Sequence, residues 1–156
     1  MVLSIHDIEN CIAQNDINNL EQYIDQIVEN KYQEFYEALA QGLMETKNPG
    51  IRNKLALALS DVRYEGVEEK IIVLLKSDST KGCRGTLLYA LQPLNYTDHI
   101  EFIFKLLKDD GFEARWEAYN LIKMACNNIP IEVKKKMIDI AQETVNMYHD
   151  VLELLK

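Results

Sequence analysis

One stretch of the chain occurs three times. Each copy consists of a small or apolar residue, an arginine, two variable positions and an apolar run with helical spacing. The three copies occupy residues 51–59, 83–91 and 114–122. A spacing near 32 residues is typical of helical hairpins that stack on one another, because a single hairpin cannot bury its own apolar face. We therefore expect an all-α fold built from repeated hairpins.

The repeat extends beyond the arginines into both helices of each predicted hairpin. An offset of 32 residues aligns Leu39, Ile71 and Ile103 in the first helices. The same offset aligns Leu55 with Leu87 in the second helices. Turn-forming residues separate the aligned runs, as expected at helix ends. The match therefore predicts a short α-solenoid, not merely an assembly of amphipathic helices.

The repeat divides the chain into five parts of a single predicted domain, 1–156. These parts are an N-terminal helical cap (1–31), three repeats (32–64, 65–96 and 97–128) and a C-terminal cap (129–156). The pattern leaves open whether the C-terminal cap is one helix or two. Four apolar residues near its end are expected to close the core: Tyr148, Val151, Leu152 and Leu155.

Composition limits the location and the partners. Twenty-five acidic and 17 basic side chains give a formal charge of −8, so we expect no binding to nucleic acid, whose phosphates need neutralising. Three widely spaced cysteines in apolar runs indicate buried thiols in a reducing compartment. Neither a leader peptide nor a membrane-spanning run is predicted, and we expect a cytoplasmic protein that does not bind membranes.

Sequence patterns that carry enzyme chemistry are missing. His6, His99 and His149 are scattered, without the spacing that metal ligands require. The sequence also lacks a glycine-rich phosphate loop and a nucleophile elbow. We therefore expect a protein that is not an enzyme and that uses no metal or other cofactor.

Acidic turn residues precede two of the repeated arginines by six positions. Asp78 stands before Arg84 and Asp109 before Arg115, whereas Thr46 holds the corresponding place in the first repeat. This pattern resembles HEAT repeats, and the resemblance covers roughly residues 32–126. It implies a right-handed stack whose second helices line a concave face. It also implies that the arginines and the acidic turn residues join neighbouring units.

A helical wheel of the second helices predicts which positions point away from the core. These positions are Asn53, Leu57, Ser60, Gly85, Tyr89, Gln92, Trp116, Asn120 and Lys123. Large apolar and aromatic side chains among them suggest an interface, whereas Leu88 and Tyr119 beside them are expected to pack between repeats. Acidic residues and two repeated tyrosines are expected at the rim. The predicted partner-binding residues are Leu57, Tyr89, Trp116, Tyr119, Asn120, Glu117, Asp109, Asp110, Glu113, Tyr64 and Tyr96.

An aromatic centre with an acidic rim suits a basic protein partner. In size, charge and repeat type the chain resembles an immunity protein of a bacterial toxin system, which implies that it blocks a basic, nuclease-type toxin. A HEAT-repeat adaptor or assembly factor is the alternative. A nucleic-acid glycosylase-like enzyme is a more distant third, because the phosphate-binding basic residues are missing. The sequence does not decide the oligomeric state.

Overall fold

The computed structural model describes residues 3–108 and 111–155, and this part of the chain is helical and contains no β-strand. The predicted all-α class is therefore confirmed. The helices are α1 (Ile5–Gln14), α2 (Ile17–Asn30), α3 (Tyr36–Glu45), α4 (Pro49–Asp61), α5 (Val67–Lys76), α6 (Gly85–Ala90), α7 (Ile100–Lys105), α8 (Phe112–Ala125) and α9 (Ile131–Leu154). Short 3-10 turns occur at Gln33–Phe35, Asp78–Thr80, Thr97–His99 and Leu106–Lys108.

Side-chain caps set several helix starts. The Ser4 hydroxyl accepts from the backbone N–H of Asp7, whose carboxylate accepts from the N–H of Ser4, forming a capping box. At α4, the Asn48 side chain accepts from the N–H groups of Gly50 and Ile51. Pro49 follows Asn48 in the first turn, where its missing N–H costs no hydrogen bond.

Consecutive helices pack in pairs, and the second helix of each pair contacts the second helix of the next. Thus α2 contacts α4, α4 contacts α6, and α6 contacts α8. Among the first helices, α1 contacts α3 and α3 contacts α5. One apolar cluster runs through these layers from Ile8 in α1 to Met137 in α9. Leu39, Ile71 and Ile103, which the repeat aligns, are all buried in it.

The second helices approach each other closely, which overturns part of the wheel prediction. Ser60 was expected to face solvent but is buried, and its hydroxyl donates to the carbonyl of Ala90 in α6. Gly85 is also buried, because the Cβ of Glu113 in α8 lies against it. The wheel alone fails at these positions because the next second helix covers them.

Helix α6 is shorter than its counterparts α4 and α8. Pro93 follows it and has no N–H to donate to the carbonyl of Tyr89, so the helix cannot continue past this point. The chain tightens there instead, with the N–H of Gln92 donating to Tyr89 and that of Leu94 to Leu91. This early end leaves room for the following loop to bring Tyr96 against α8.

The repeated arginines differ in their surroundings. Arg52 is only 3 % exposed, and its guanidinium donates to the Cys83 sulfur of the next unit at 3.1 Å. Arg84 is also buried, and it donates to the Thr80 hydroxyl and to the Ser77 carbonyl. Arg115 is exposed. Arg52 therefore joins α4 to the segment that leads into α6.

Asp78, the predicted acidic partner of Arg84, forms an ion pair with Lys81. Asp78 is exposed, and its carboxylate lies 2.7 Å from the ammonium of Lys81, which holds the pKa of Asp78 below its usual value. The Arg84 side chain also donates to two neutral oxygens of the preceding turn, the Thr80 hydroxyl and the Ser77 carbonyl. Asp109, the other predicted acidic partner, lies outside the described residues.

Helix α9 is one continuous helix of 24 residues, which answers the question that the sequence left open. Met137 is its one buried residue among those described. The expected closure of the core by its later turns is wrong, because Tyr148, Val151, Leu152 and Leu155 are exposed. The helix contacts α7 near its beginning and then extends beyond the helical pairs.

We predict that Gly85→Ala destabilises the protein by about 1–3 kcal/mol, because overpacking forces helices apart. The added Cβ would lie 2.7 Å from the Cβ of Glu113, which cannot swing aside. Urea denaturation measures the effect. In the Gly85→Ala background, Glu113→Gly should restore part of the loss, although alone it costs about 1 kcal/mol of helix propensity. If the losses of stability caused by Gly85→Ala and Glu113→Gly simply add, the close contact between these two residues is contradicted.

We predict that Arg52→Ala destabilises the protein by about 2 kcal/mol, because it empties a buried joint between units. Arg52→Met keeps the apolar stem and removes a poorly satisfied buried charge, so its stability should stay within about 1 kcal/mol of the parent. Asp78→Ala serves as the comparison and should leave the Tm within about 2 °C, because the carboxylate is exposed. Equal losses of stability in Arg52→Ala and Asp78→Ala would contradict the conclusion that Arg52 supports the fold and Asp78 does not.

Candidate protein-binding face

Exposed side chains of α2, α4, α6 and α8 form a surface that we call the second-helix face. Tyr89 on α6 and Trp116 on α8 are each 53 % exposed, as the wheel predicts. Tyr119 is 48 % exposed, although it was expected to pack between repeats. The centroid of its ring lies 5.9 Å from the centroid of the Trp116 ring. Leu88 is buried between helices, as expected. The face therefore presents an aromatic pair and a separate tyrosine to solvent.

A groove of about 360 Å³ connects this aromatic region to α4. Leu57, Tyr89 and Met124 line it together with polar residues of the α4 and α6 ends. Leu57 is half-buried, whereas Met124 is exposed. Sequence reasoning missed Met124, although its position eight residues after Trp116 places both on the same side of α8.

A hydrogen-bonded polar group lies between α6 and α8 on this face. The Gln92 side-chain amide donates to the Glu117 carboxylate at 3.0 Å. Asn120 donates to the same oxygen at 3.5 Å. Glu117 and Asn120 were both predicted at the site, and these contacts hold the carboxylate beside the exposed aromatic residues. The arrangement fixes a negative charge in position before any partner arrives.

Helix α2 adds an acidic stripe that sequence reasoning missed. Glu21, Asp25 and Glu29 recur at intervals of four residues, which places their carboxylates along one side of α2. They line a groove of about 240 Å³ between α2 and α4, together with Leu57 and Asp61. Glu21 also pairs with Lys54 of α4. The repeat alignment hid the stripe because α2 belongs to the N-terminal hairpin, yet the spacing alone could have revealed it.

The two repeated tyrosines do not join the face. Tyr96 is 5 % exposed, and its hydroxyl donates to the Leu121 carbonyl at 2.9 Å, so the prediction of an exposed rim residue is wrong. Burial raises the pKa of Tyr96. Tyr64 is half-buried and turns towards α3, where its hydroxyl bonds to Glu37. That hydrogen bond, with burial second, raises the pKa of Tyr64. Both residues stabilise joints between helices.

Glu113, another predicted rim residue, lies in the first turn of α8. It is exposed, although its Cβ packs over Gly85. Asp109 and Asp110 lie outside the described residues. The described acidic positions of the face are therefore Glu113, Glu117, Asp61 and the α2 stripe.

Other features of the described chain lie away from this face or carry no evident chemistry. A groove of about 470 Å³ lies between α1 and α3 and contains none of the predicted partner-binding residues. In residues 3–108 and 111–155, no three His, Cys, Asp or Glu side chains are grouped to hold a metal ion. The same residues include no helix with both the length and the apolarity to cross a bilayer. Cys126 is exposed, so the expectation of three buried thiols is wrong for it.

We predict that Tyr96→Phe lowers the free energy of unfolding by about 1 kcal/mol, because the hydroxyl loses its bond to Leu121. The folded-state pKa of Tyr96 is raised, so its contribution is complete below the unfolded tyrosine pKa of about 10 and is lost as pH rises through the folded value. The stability difference between parent and variant should therefore narrow above about pH 10. A difference that is constant up to pH 11 would contradict the assignment.

Comparison of the chain with protein-family models, with curated proteins and with solved structures found no match. The arrangement of the second-helix face is therefore the basis for assigning a function.

Proposed function

We propose that the chain is a short, right-handed stack of HEAT-like hairpins that binds a basic protein through its second-helix face. In this proposal it acts in the cytoplasm and catalyses no reaction. The observation that carries it is the meeting of exposed aromatic side chains and fixed carboxylates on one set of adjacent helices.

The order of helix contacts supports the solenoid. Each second helix contacts the second helix of the neighbouring pair, and polar bonds such as Arg52 to Cys83 and Ser60 to Ala90 cross between consecutive units. Residues about 31 positions apart thus contact each other between consecutive units, as expected of stacked repeats. The right hand of the stack comes from the HEAT resemblance.

The chemistry of the face supports a basic partner. Tyr89 and Trp116 have the residue types that most often anchor protein interfaces, and both are more than half exposed without a partner. The Glu117 carboxylate lies on α8, the helix that carries Trp116. The carboxylates of Asp25 and Glu29 lie on α2, which packs against α4, the neighbour of α6. Charge complementarity would accelerate association, and the aromatic groups would slow dissociation.

Immunity to a basic, nuclease-type bacterial toxin is the form of this function that we propose. A small acidic protein that covers a nuclease would block its nucleic-acid substrate sterically and occupy the positive groups that bind phosphates. The formal charge of −8 and the small size fit this role.

The decisive test pairs the chain with the basic C-terminal domain of a secreted protein encoded next to it. We predict that co-expression protects cells from that domain and that Tyr89→Ala/Trp116→Ala weakens the purified complex by about 30-fold or more. Tyr32→Ala, which removes an exposed tyrosine elsewhere, is the matched control and should change affinity less than about threefold. Isothermal titration calorimetry measures the affinity of the parent, the double variant and the control for that domain.

Charge-reversal variants provide a second part of the same test. Asp25→Lys/Glu29→Lys should slow association by about 10-fold at low salt, and the effect should shrink at about 0.5 M salt because charges are screened. Glu34→Lys/Glu45→Lys changes the net charge equally at exposed positions off the face and should have a smaller effect. Equal slowing by both pairs would point to net charge and not to the face. Lack of any complex at low salt would overturn the proposed function.

A further inference from the structure

Helix α9 carries an apolar side that continues along its whole length. Three sets of positions recur every seven residues: Met137, Thr144 and Val151; Ile140, Met147 and Leu154; Ala141, Tyr148 and Leu155. A seven-residue repeat of this kind is typical of helices that pair side by side. The 24 residues of α9 span about 36 Å at 1.5 Å per residue, so the apolar side is long as well as regular.

The later turns of this apolar side are largely exposed in the described chain. Met147 and Tyr148 are each 69 % exposed, and Leu154 and Leu155 are 84 % and 78 % exposed. Burying such residues is the main source of stability in protein association, and monomers rarely leave so continuous a patch in water. We call residues 143–155 the α9 arm.

The polar side of the arm is acidic. From Asp139 to Leu155 the sequence has four acidic residues and neither lysine nor arginine. Two of the acidic residues, Glu143 and Asp150, are seven residues apart and therefore lie on one edge of the helix. Anything that covers the apolar side thus meets negative charge along its border.

A groove of complementary character lies at the base of the same helix. It runs between α9 and the segment formed by α7 and the turn Leu106–Lys108, and its volume is about 410 Å³. Its uncharged lining comes from Phe104, Leu107, Met137, Ile140 and Ala141, together with Thr144 and Tyr148 from the beginning of the α9 arm. Its charged lining is mainly basic: Lys105, Lys108 and Lys136, with Glu101 bonded to Lys136. A predominantly basic border is unusual on a chain with a formal charge of −8.

We propose that two copies of the chain associate, and that each copy lays its α9 arm in the groove between α7 and α9 of the other. The apolar side of the arm covers the apolar lining, and its acidic border meets the lysines. An antiparallel arrangement is required, because Lys134, Lys135 and Lys136 stand at the beginning of α9 and the acidic residues follow them. A parallel pair would place like charges side by side, which is unfavourable.

A two-fold axis makes this contact self-complementary. Each copy supplies one acidic arm and one basic groove, so every favourable charge contact occurs twice, as in an isologous dimer. The contact is also closed, since both arms and both grooves are used. Association therefore stops at two copies.

A membrane surface suits the arm less well. Helices that lie in the lipid headgroup region carry lysine and arginine on their polar side, because bilayers are commonly anionic. The arm has acidic residues there, which such a surface repels. The neighbouring basic groove, in contrast, is already part of this chain.

Sedimentation velocity of the full chain tests the proposal between about 1 and 100 µM, a range that brackets micromolar dissociation constants. We expect a species of twice the 18.1 kDa chain mass, and a dissociation constant raised about 10-fold or more in Lys105→Glu/Lys108→Glu and in Glu143→Lys/Asp150→Lys. Combining the four changes reverses both partners and should return the constant to within about threefold of the parent. Lys47→Glu, an exposed change elsewhere, is the control and should have little effect.

Val151→Asp provides a test of the apolar contact. It should abolish association while leaving the circular dichroism of the monomer unchanged, because Val151 is exposed in the single chain. A parent chain that is monomeric at 100 µM, or charge reversals that do not rescue each other, would overturn the proposal. Binding of the monomer to vesicles of phosphatidylcholine and phosphatidylglycerol would assign the arm to a lipid surface instead. The second-helix face and the arm lie on different helices, so either proposal can fail without the other.

Discussion

The close approach of α4, α6 and α8 is the constraint on which the rest of the structure depends. A side chain larger than hydrogen at Gly85 would push α8 away, and α8 carries Trp116 and Tyr119. The buried bonds from Ser60 to Ala90 and from Tyr96 to Leu121 fix how far each helix slides along its neighbour. The position of every exposed group on the second-helix face follows from this spacing, because those groups project from the same helices.

Much of the fold could be predicted because its signals are local and periodic. The 32-residue offset correctly paired Leu39 with Ile71 and Leu55 with Leu87, and all four side chains are buried in the core. Ser60 and Tyr96 were placed on the wrong side because burial there depends on the neighbouring unit, which a wheel of one helix does not include. For the α9 arm the prediction was wrong in the opposite direction. Its apolar residues were expected to be buried, but they are exposed in the described chain.

The aromatic residues of the candidate site and the acidic residues of α8 could be predicted, whereas the contribution of the acidic stripe on α2 could not. Tyr89 and Trp116 stand out as large side chains at outward positions of aligned helices. The carboxylates of Asp25 and Glu29 became part of the same surface only when α2 was found packed against α4. Charge is also divided between the two ends of the molecule, with an acidic groove beside α2 and a basic one beside α9. A net charge of −8 conceals this division.

The polar contacts between units join residues that are near in sequence. Arg52 and Cys83 are 31 residues apart, Ser60 and Ala90 are 30, and Tyr96 and Leu121 are 25. Short loops lose little entropy on closure, and native contacts of this range are associated with rapid folding. The two ends of the chain need not meet for any of these contacts to form. In the proposed stack of hairpins, folding would begin in any one hairpin and spread in either direction, and damage to one joint would leave parts of the chain that melt at different temperatures.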